Sequence, residues 1–546
     1  MRRLIRLWHT VRHLRPVQVL WRLRLRAWPP RFDGRLRGGV SVAAPARPWT
    51  LLAYGEARWL GGQRWRFLNR EHDLAGRGWD DQSMARLWRY NLHYFDELCR
   101  RAPDGWRGAE AGDAIRAWID DNPPPRGTAW EPYPTSLRIV NWLKWLLAGS
   151  PPVPGMLDSL ALQVRWLSRN LEHHLLGNHL WANAKALVFA GACLRTPEAE
   201  AWRARGLALL SRELDEQFLA DGGHFERSPM YHALLTEDLL DLHQLSETVA
   251  GALPSALADR VQERIAPALR WLAVMSHPDG EIAFFNDCAL GIAPSLAQLQ
   301  DHARALGVPP DGRPLASVEY LADSGFVRAQ LGDAVLLADV GSVGPSYIPG
   351  HAHAGTLSFE LSLGGQRVLV NGGVSTYAVG SRRLAERATT SKNAVSLGGQ
   401  SSSEIWSAFR VARRARVHDV HIEQDSNGIR IRAAHDGYRR LRGGGDVQRT
   451  WSLGPAGLTI TDRVDGNLPA TAHLHPHPSL RGVDDADHVV WQNGAGTELR
   501  LLAPSRIEPA RSEWASGFDR RTDSPRIDLP FKRELATTLA WTTSKR

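Results

Sequence analysis

Four short segments of the chain combine side chains that can move protons or hold a carboxylate. They are residues 177–179, 224–232, 350–355, and 371–377 with its continuation 387–395. Amides and imidazoles can donate hydrogen bonds to a carboxylate, and Tyr and His can act as general acids or bases. These segments are therefore the candidates for a site of acid–base chemistry.

The first segment is Gly177-Asn178-His179, which the pattern places between two helices. The Asn178 amide and the His179 imidazole can jointly donate hydrogen bonds to a carboxylate. Asn is also a good helix N-cap, and for this tripeptide alone the capping interpretation is favoured.

The second segment contains Tyr231 and ends at His232. Two preceding glycines and Pro229 predict an irregular stretch ahead of a helix that begins near Ala233. Tyr231 is then expected at the N-terminal end of that helix, where the helix dipole would lower the pKa of the phenol toward a useful range. A single tyrosine is more often a packing residue, so this signal is weak in isolation.

The third and fourth segments hold His351, His353 and Tyr377. Two histidines two residues apart, directly before a predicted strand at 356–361, are expected on one face of that strand. Such a pair suggests either a metal site or a catalytic histidine beside a structural one. Tyr377 can reach a cleft from a loop, although tyrosines at strand ends commonly pack.

Apolar residues at three- and four-residue spacing predict helices between about residues 85 and 310. The candidate helices are 135–149, 156–175, 180–194, 199–219, 233–250 and 257–276. Their short connections predict successive antiparallel helical hairpins, which close most readily into an α/α toroid or a bundle.

After about residue 315 the pattern changes to short, often alternating segments separated by turn residues. The candidate strands are 325–329, 334–338, 356–363, 367–370, 429–433 and 458–464. No helices lie between them, so an antiparallel β-sandwich is predicted. The expected organisation is an α+β multidomain chain with a basic segment at 1–45, a helical domain at 46–310 and a β-domain at 311–546.

The basic character of the chain is confined to its first residues. Residues 1–37 contain eleven of the 67 Lys and Arg residues but only one of the 58 acidic residues. The rest of the chain is close to neutral, so the net charge of +9 does not indicate a polyanion-binding cleft. No nucleic-acid-binding motif accompanies the arginines.

Within residues 1–37, Leu, Val and Trp alternate with arginines in a helical rhythm. One interpretation is a peripheral anchor to anionic lipid, and the other is a basic helix packed on the toroid or a partner; the sequence favours neither. The segment lacks the apolar run and cleavage site of a signal peptide, and no later stretch is long enough to span a membrane. The three separated cysteines are typical of free thiols, so a cytoplasmic location, with possible membrane association, is expected.

In this order, the four segments resemble the heparinase II/III-like family of polysaccharide lyases. The resemblance also rests on Phe-Leu-Asn at 67–69, WRYNLHYFD at 88–96, WEPYPTSLRIVNW at 130–142 and His-Asp-Gly-Tyr at 435–438. It implies an incomplete α/α toroid, an antiparallel β-sandwich, and a cleft between them for an acidic polysaccharide. The stretch SEIWSAFRVARRA, at 403–415, is similar to members encoded with exopolysaccharide biosynthesis genes.

The resemblance implies roles in the β-elimination of a uronate. Asn178 and His179 would neutralise the carboxylate. Tyr231 would act as the acid, and in a syn elimination also as the base, while His351 would be the base from the opposite face or a second neutralising group. Tyr377 is a lesser candidate for the acid. The residues expected to bind substrate are Glu226, His232, His353, Tyr377 and Arg387.

Several positions depart from the family pattern. Gly355 stands where relatives often have an acidic residue, and members with a structural zinc have an Asp and a His where this chain has Asn371 and Lys392. An amide is a poor zinc ligand and an ammonium group cannot be one, so no metal and no cofactor are predicted. Lys392 is instead expected to place its charge near His353 and to hydrogen-bond Asn371.

Two other functions remain open from the sequence. A glycoside hydrolase would need two carboxylates across the scissile bond, and Glu131, Glu226 and Asp287 lie in loop-like segments. A non-catalytic polysaccharide-binding or assembly factor at the inner membrane is the second alternative.

Overall fold

Helices dominate the first 305 residues of the chain, and strands form most of the remainder. The computed structural model describes residues 2–51, 58–99, 109–483, 489–494 and 496–542. The helices in these ranges are α1 (Arg2–Val11), α2 (Pro16–Ala27), α3 (Arg86–Leu92), α4 (Ala109–Asp121), α5 (Pro132–Leu147), α6 (Met156–Arg169), α7 (Gly177–Cys193), α8 (Ala199–Gln217), α9 (Pro229–Thr248), α10 (Ser255–Val274), α11 (Leu296–Ala305) and α12 (Ser381–Arg387), with 3₁₀ turns at Asp96–Cys99, Thr128–Trp130 and Thr389–Ser391.

The strands pair antiparallel throughout the β-domain. In chain order they are β1 (Ser41–Val42), β2 (Arg64–Phe67), β3 (Arg70–Asp73), β4 (Leu194–Arg195), β5 (Val318–Leu321), β6 (Phe326–Leu331), β7 (Ala334–Asp339), β8 (Phe359–Leu363), β9 (Gln366–Leu369), β10 (Val395–Leu397), β11 (Ile405–Trp406), β12 (Arg410–Val411), β13 (Val417–Asp425), β14 (Gly428–His435), β15 (Val447–Gly454), β16 (Gly457–Val464), β17 (Ala470–Leu474), β18 (Arg481–Val483), β19 (Val489–Gln492), β20 (Glu498–Leu502), β21 (Glu508–Gly517), β22 (Arg520–Phe531) and β23 (Glu534–Thr542).

The helical domain is built from hairpins whose apolar stripes face a common core, as the periodicity predicts. Large buried side chains fill it, including Trp118, Trp142 and Trp181. Of the 22 tryptophans, at least fourteen are buried in the described residues, which confirms the prediction that most of them are core residues. Cys99, Cys193 and Cys288 are free thiols, as expected.

Three larger antiparallel sheets and the two-stranded sheet β11-β12 make up the described part of the β-domain. The orders of the larger sheets are β5-β6-β7-β8-β9, β13-β14-β15-β16-β23-β20-β19-β18 and β10-β17-β22-β21. Alternate residues of β7 face opposite ways, because successive side chains of a strand point to opposite faces. Leu336 and Ala338 enter the core of the β-domain. Val335 and Leu337 pack in a separate cluster with Trp271 of α10, so the five-stranded sheet joins the two domains.

Two site segments lie in helices rather than in the predicted loops. α7 begins at Gly177, three residues before its expected start, and α9 begins at Pro229, four before its expected start. Ser228 caps α9 by accepting a hydrogen bond from the backbone N–H of Tyr231 at 3.2 Å. Asn178 and Tyr231 therefore both occupy first helical turns, and the predicted helix starts were late.

The third segment differs in the opposite sense, because β8 begins at Phe359, three residues later than predicted. The Ser358 backbone N–H donates to the carbonyl of Gly355, and Leu357 has a φ of 60°. This turn keeps His351 and His353 outside the strand, so strand alternation does not orient them.

The N-terminal helices lie on both domains. The Arg6 guanidinium pairs with Glu404 at 3.0 Å, and the Trp406 indole N–H donates to Thr10 at 3.0 Å. Gln18 of α2 is buried and donates to the carbonyl of Tyr347 at 3.3 Å. Among the described residues, no helix combines the length and the apolar composition needed to cross a bilayer.

Candidate active site

The N-terminal ends of α7 and α9 contribute residues to one site. The first turn of α7 carries Asn178 and His179, and that of α9 carries Tyr231. Free backbone N–H groups make a helix N-terminus partially positive, which favours nearby anions. The loop that precedes α9 contributes Glu226, whose carboxylate lies 3.5 Å from the backbone nitrogen of Asn178. The electrostatic potential is therefore more positive on the helical side of the site.

Glu226 connects this helical side to the β-domain. Its Oε2 atom is hydrogen-bonded to the Nδ1 atom of His351, and its side chain is 1% exposed. Burial would raise the pKa of Glu226, but His351 outweighs this effect and holds the pKa below its usual value. A carboxylate only accepts hydrogen bonds, so Nδ1 of His351 carries a proton and the other ring nitrogen, Nε2, is left for substrate.

Gly177 makes room for that carboxylate. It has a φ of 56°, and a Cβ at this position would lie 2.7 Å from Oε1 of Glu226 and 2.8 Å from the side chain of Ile348. A larger residue would displace Glu226 or the loop that leads to His351, so glycine is required here for both conformation and space.

Tyr231, His351 and Tyr377 form a stack of rings. The Tyr231 and His351 centroids are 3.8 Å apart with an interplanar angle of 15°, and the Tyr231 and Tyr377 hydroxyls are 3.1 Å apart. Burial raises the pKa of both tyrosines well above the usual value. The expectation that the helix dipole lowers the Tyr231 pKa is therefore wrong, because desolvation of the phenolate outweighs the dipole. Tyr231 is a neutral phenol, suited to donating a proton.

His179 is partly exposed and has one acidic and one aromatic neighbour. Its Nδ1 lies 2.9 Å from Glu172 Oε1, and its ring centroid lies 4.6 Å from that of Tyr133. Burial lowers the pKa of His179, but Glu172 overcompensates and the net shift is upward. The neighbouring Asn178 supplies an amide NH2 group, which is the part of its side chain that can donate to a carboxylate. An imidazole N–H next to an amide NH2 gives a suitable pair of donors for a carboxylate.

His353 is fully buried and, among the described residues, has no hydrogen bond or ring contact with His351, contrary to the predicted shared face. Its Nε2 lies 2.7 Å from Asp287, which also receives two hydrogen bonds from Arg383 at 2.5 and 2.7 Å. The Arg383 guanidinium lies 4.8 Å from the centre of the Tyr377 ring. The side chains of His353, Asp287 and Arg383 are all 0% exposed, so this ion-pair network supports Tyr377 from the interior of the protein.

The structure corrects four of the predicted substrate contacts, because these side chains are buried and already bonded. His232 is fully buried between the backbone N–H of His224 and the carbonyl of Ala268. Arg387 is fully buried and donates to backbone carbonyls, including that of Ala352. Glu226 is hydrogen-bonded to His351, and His353 is hydrogen-bonded to Asp287. Tyr377 is half-buried and remains a candidate.

The residues at the positions of the family's structural zinc do not fit a metal. His353 Nδ1, Asn371 Nδ2 and Lys392 Nζ are buried and have no hydrogen-bond partners within the described ranges. The predicted hydrogen bond between Lys392 and Asn371 is absent. The side-chain Oδ1 of Asn371 instead accepts a hydrogen bond from the backbone N–H of Asn393 at 3.1 Å. In the described residues no three His, Cys, Asp or Glu side chains form a group that could hold a metal.

Sequence reasoning missed four residues of the site. Glu172 and Tyr133 contact His179, Arg383 supports Tyr377, and Phe409, which is 42% exposed, lies 5.4 Å from the Tyr377 ring. Tyr133 lies within the stretch at 130–142 that carries the resemblance, which offered a signal. Phe409 likewise lies within the quoted stretch at 403–415, whereas Glu172 and Arg383 have no local pattern that distinguishes them from packing residues.

Comparison with known families decides the relationship. The model of the heparinase II/III N-terminus matches residues 84–306, and that of the heparinase II/III-like C-terminal domain matches residues 313–542.

The chain belongs to the heparinase II/III-like family. Matched curated relatives include the FtsZ-localized protein C of Caulobacter vibrioides, 28% identical over 80% of this chain and 76% of the relative. A heparin-sulfate lyase of Bacteroides thetaiotaomicron is 28% identical over 32% of this chain and 27% of that enzyme. The sequence match to this lyase thus spans a smaller part of both chains.

Solved structures confirm the heparinase fold, an incomplete toroid of helices followed by an antiparallel β-sandwich. A heparinase III structure has a TM-score of 0.65 at 16% identity, covering 84% of this chain and 77% of that one. A heparan sulfate lyase mutant from Pedobacter heparinus has a TM-score of 0.58 at 18% identity, covering 89% and 82%.

Proposed function

We propose that the chain is a polysaccharide lyase that cleaves a uronate-containing polysaccharide by β-elimination. The observation that carries this proposal is the stack of Tyr231 on His351, with Glu226 bonded to the far side of the imidazole. It places a protonated phenol beside an imidazole with one free nitrogen. An elimination needs such an acid and base close together.

The substrate carboxylate would bind at the first turn of α7. Removing the proton from C5 of a uronate places negative charge on the adjacent carboxylate as an enolate develops. The side chains of Asn178 and His179 are the donors available to stabilise that charge, and the helix N-terminus adds to their effect.

Proton transfer would then use the two stacked rings. Nε2 of His351 takes the C5 proton, and Glu226 stabilises the imidazolium that forms. The C5–H electron pair becomes the C4–C5 double bond, the C4–O4 bond breaks, and the Tyr231 phenol protonates the departing oxygen. For the next turnover the His351 imidazolium must lose its proton to solvent and Tyr231 must regain one, which the Tyr377 hydroxyl, 3.1 Å away, can relay. In a syn elimination Tyr231 would serve as both base and acid.

The carboxylates favour elimination over hydrolysis. Asp287 is completely buried and paired with Arg383, and Glu226 is committed to His351. Glu131 is bonded to both Arg86 and Tyr90. A hydrolase needs two carboxyl groups facing the scissile bond, and these three are not arranged for that purpose.

The biological setting we propose is exopolysaccharide or capsule metabolism, with the acidic polymer as substrate. A second candidate is a non-catalytic polysaccharide-binding or assembly factor. The match to the FtsZ-localized protein C, a relative whose name states no lyase activity, covers more of the chain than the match to the heparin-sulfate lyase, so this candidate is tested beside the lyase.

In the deciding experiment, the protein is incubated with a panel of uronate-containing polysaccharides. Formation of the unsaturated product is followed by its far-ultraviolet absorbance. A rise in absorbance that His351→Ala abolishes supports the lyase. New reducing ends without that absorbance would identify a hydrolase, and binding without cleavage would identify the non-catalytic factor.

A further inference from the structure

Exposed apolar side chains are concentrated at the N-terminus of the chain. Fourteen large apolar residues are exposed among the described residues, and ten of them lie between residues 4 and 36. They are Leu4, Ile5, Leu7, Trp8, Val11, Val19, Leu20, Leu23, Trp28 and Leu36. A concentrated apolar patch on a folded protein usually marks an interaction surface, whereas scattered exposed residues need no explanation.

On α1 the apolar stripe faces away from the protein. Arg6 and Thr10, one turn apart, bond to Glu404 and Trp406 and define the attached face. Leu4, Leu7, Trp8 and Val11 follow the three- and four-residue spacing of a different stripe and are 72, 45, 64 and 42% exposed. This stripe therefore has no intramolecular partner large enough to cover it.

The outer face of α2 has the same character, with basic residues at its edges. Gln18 and Trp21 face inward, and the Trp21 ring lies 4.5 Å from that of His173. Leu20 and Leu23 are 64 and 59% exposed on the opposite side. At 100° per residue, Arg24 flanks one side of this pair and Arg26 the other. An apolar strip edged by arginines is typical of helices that lie in a membrane interface.

Most of the arginines here are not neutralised within the protein. Arg6, Arg15 and Arg37 have carboxylate partners. In contrast, no ion pair with a described residue involves the exposed arginines at positions 3, 12, 22, 24, 26, 31 and 35. Seven unpaired positive charges beside an apolar patch match a partner that supplies both negative charge and apolar contact.

A basic cavity lies under α2. Its volume is about 310 Å³, and its lining includes Trp21, Trp28, Arg24, Arg31, Arg169 and Arg205 without any carboxylate side chain. Burial first, and the positive charge of Arg24 second, lower the pKa of Arg205, so Arg24 and Arg205 lie close enough for their like charges to oppose each other. An anionic group in the cavity would relieve that repulsion.

We propose that α1 and α2 form a docking surface for an anionic phospholipid bilayer, with a lipid phosphate group entering the cavity beneath α2. The exposed Leu and Trp side chains would enter the boundary between headgroups and acyl chains, and the unpaired arginines would contact lipid phosphates. Arg15 stacks on Tyr347 at 3.7 Å, four residues before His351, so the docking surface adjoins the segment that carries His351. The surface does not depend on the proposed lyase activity.

The test is co-sedimentation of the full chain with vesicles, which needs no polysaccharide. Binding to phosphatidylcholine vesicles that contain phosphatidylglycerol, but not to phosphatidylcholine alone, is expected, with loss of binding at high salt. A basic residue near an anionic surface contributes roughly a fivefold factor in affinity. The triple variant Arg22→Gln, Arg24→Gln, Arg26→Gln should therefore bind at least about tenfold more weakly.

Matched control variants distinguish an effect of this surface from an effect of the protein's total charge or total exposed apolar area. Arg442→Gln, Arg520→Gln, Arg533→Gln removes the same charge from exposed positions of the β-domain and should bind normally. Leu20→Ala, Leu23→Ala should weaken binding, whereas Val379→Ala, Leu502→Ala, which changes two exposed residues elsewhere, should not. Thermal unfolding followed by circular dichroism confirms that each variant is folded.

Three outcomes would overturn the proposal. The first is no sedimentation with anionic vesicles at low salt, and the second is equal loss of binding in both arginine triples. The third is a dimer by light scattering that Leu20→Ala, Leu23→Ala dissociates, because the surface would then be covered by a second copy of the chain.

Discussion

His351 of the β-domain and Glu226 of the helical domain share a hydrogen bond through Nδ1 and Oε2. The pair spans 125 residues of sequence and is 12% and 1% exposed at its two side chains. Because the bond fixes the ring and its tautomer, Glu226 is a positioning residue for His351 and not a substrate contact.

Replacing Glu226 with Gln should therefore reduce turnover more than binding. The amide preserves the shape but removes the charge that stabilises an imidazolium, so we expect kcat to fall about 100-fold with little change in KM. Initial rates of formation of the unsaturated product measure both constants. The matched control is Glu360→Gln, which alters another buried carboxylate, 2.7 Å from His277. Equal losses of kcat in the two folded variants would contradict the assignment.

Removing the Tyr231 hydroxyl should abolish most activity. Tyr231→Phe keeps the ring stacked on His351 but deletes the proton donor, and a loss of about 1,000-fold in kcat is expected. Tyr377→Phe removes the neighbouring hydroxyl and should cost less than about tenfold if Tyr377 only assists. The same absorbance assay compares the two, and the opposite ranking would make Tyr377 the acid.

Substrate affinity should decrease as the pH rises through the His179 pKa, because only the imidazolium carries the charge that attracts the uronate. Glu172 raises that pKa against the effect of burial, so Glu172→Gln should move the decrease to lower pH. KM measured across the neutral range tests this shift. Glu216→Gln, which changes a carboxylate bonded to Arg15 instead, should leave the profile unchanged.

Purified protein should contain far less than one zinc per chain, as measured by elemental analysis. Asn371 and Lys392 lack the ligand chemistry, and His353 alone cannot hold the ion. The double variant Asn371→Asp, Lys392→His should gain zinc, because it would place two ligands near the unpartnered Nδ1 of His353. Stoichiometric zinc in the natural protein that is lost in His353→Ala would refute this prediction.

Lys392 should make the free energy of unfolding depend on alkaline pH. Burial lowers its pKa from 10.5 to about 8, so between these values the unfolded chain binds more protons than the folded one. Stability from this group then rises with pH across that window and is least below it, where the folded state must bury the charge. Urea unfolding should show that Lys392→Met is more stable near neutral pH and lacks this rise. The exposed Lys532→Met is the control, and identical behaviour of the two variants would contradict the prediction.

Local patterns in the sequence determined the order of elements and much of the candidate site. Apolar residues recur every three to four residues along a helix and every two residues along a strand, because these are the spacings of the buried face. The change from helices to strands after residue 305 could therefore be predicted. The same local information identified Asn178, Tyr231 and His351 as residues capable of the chemistry. It also located the basic charge in the first 37 residues.

Only the tertiary structure decided how those residues are used, because burial and pairing depend on partners far away in the sequence. His353 is bonded to Asp287, 66 residues away, and so has a different role from His351, which is bonded to Glu226, although the two histidines stand two residues apart. Burial makes Tyr231 a neutral phenol where its helix position alone predicted a lowered pKa. The attachment of Arg6 and Thr10 to the β-domain likewise decides which stripe of α1 remains exposed.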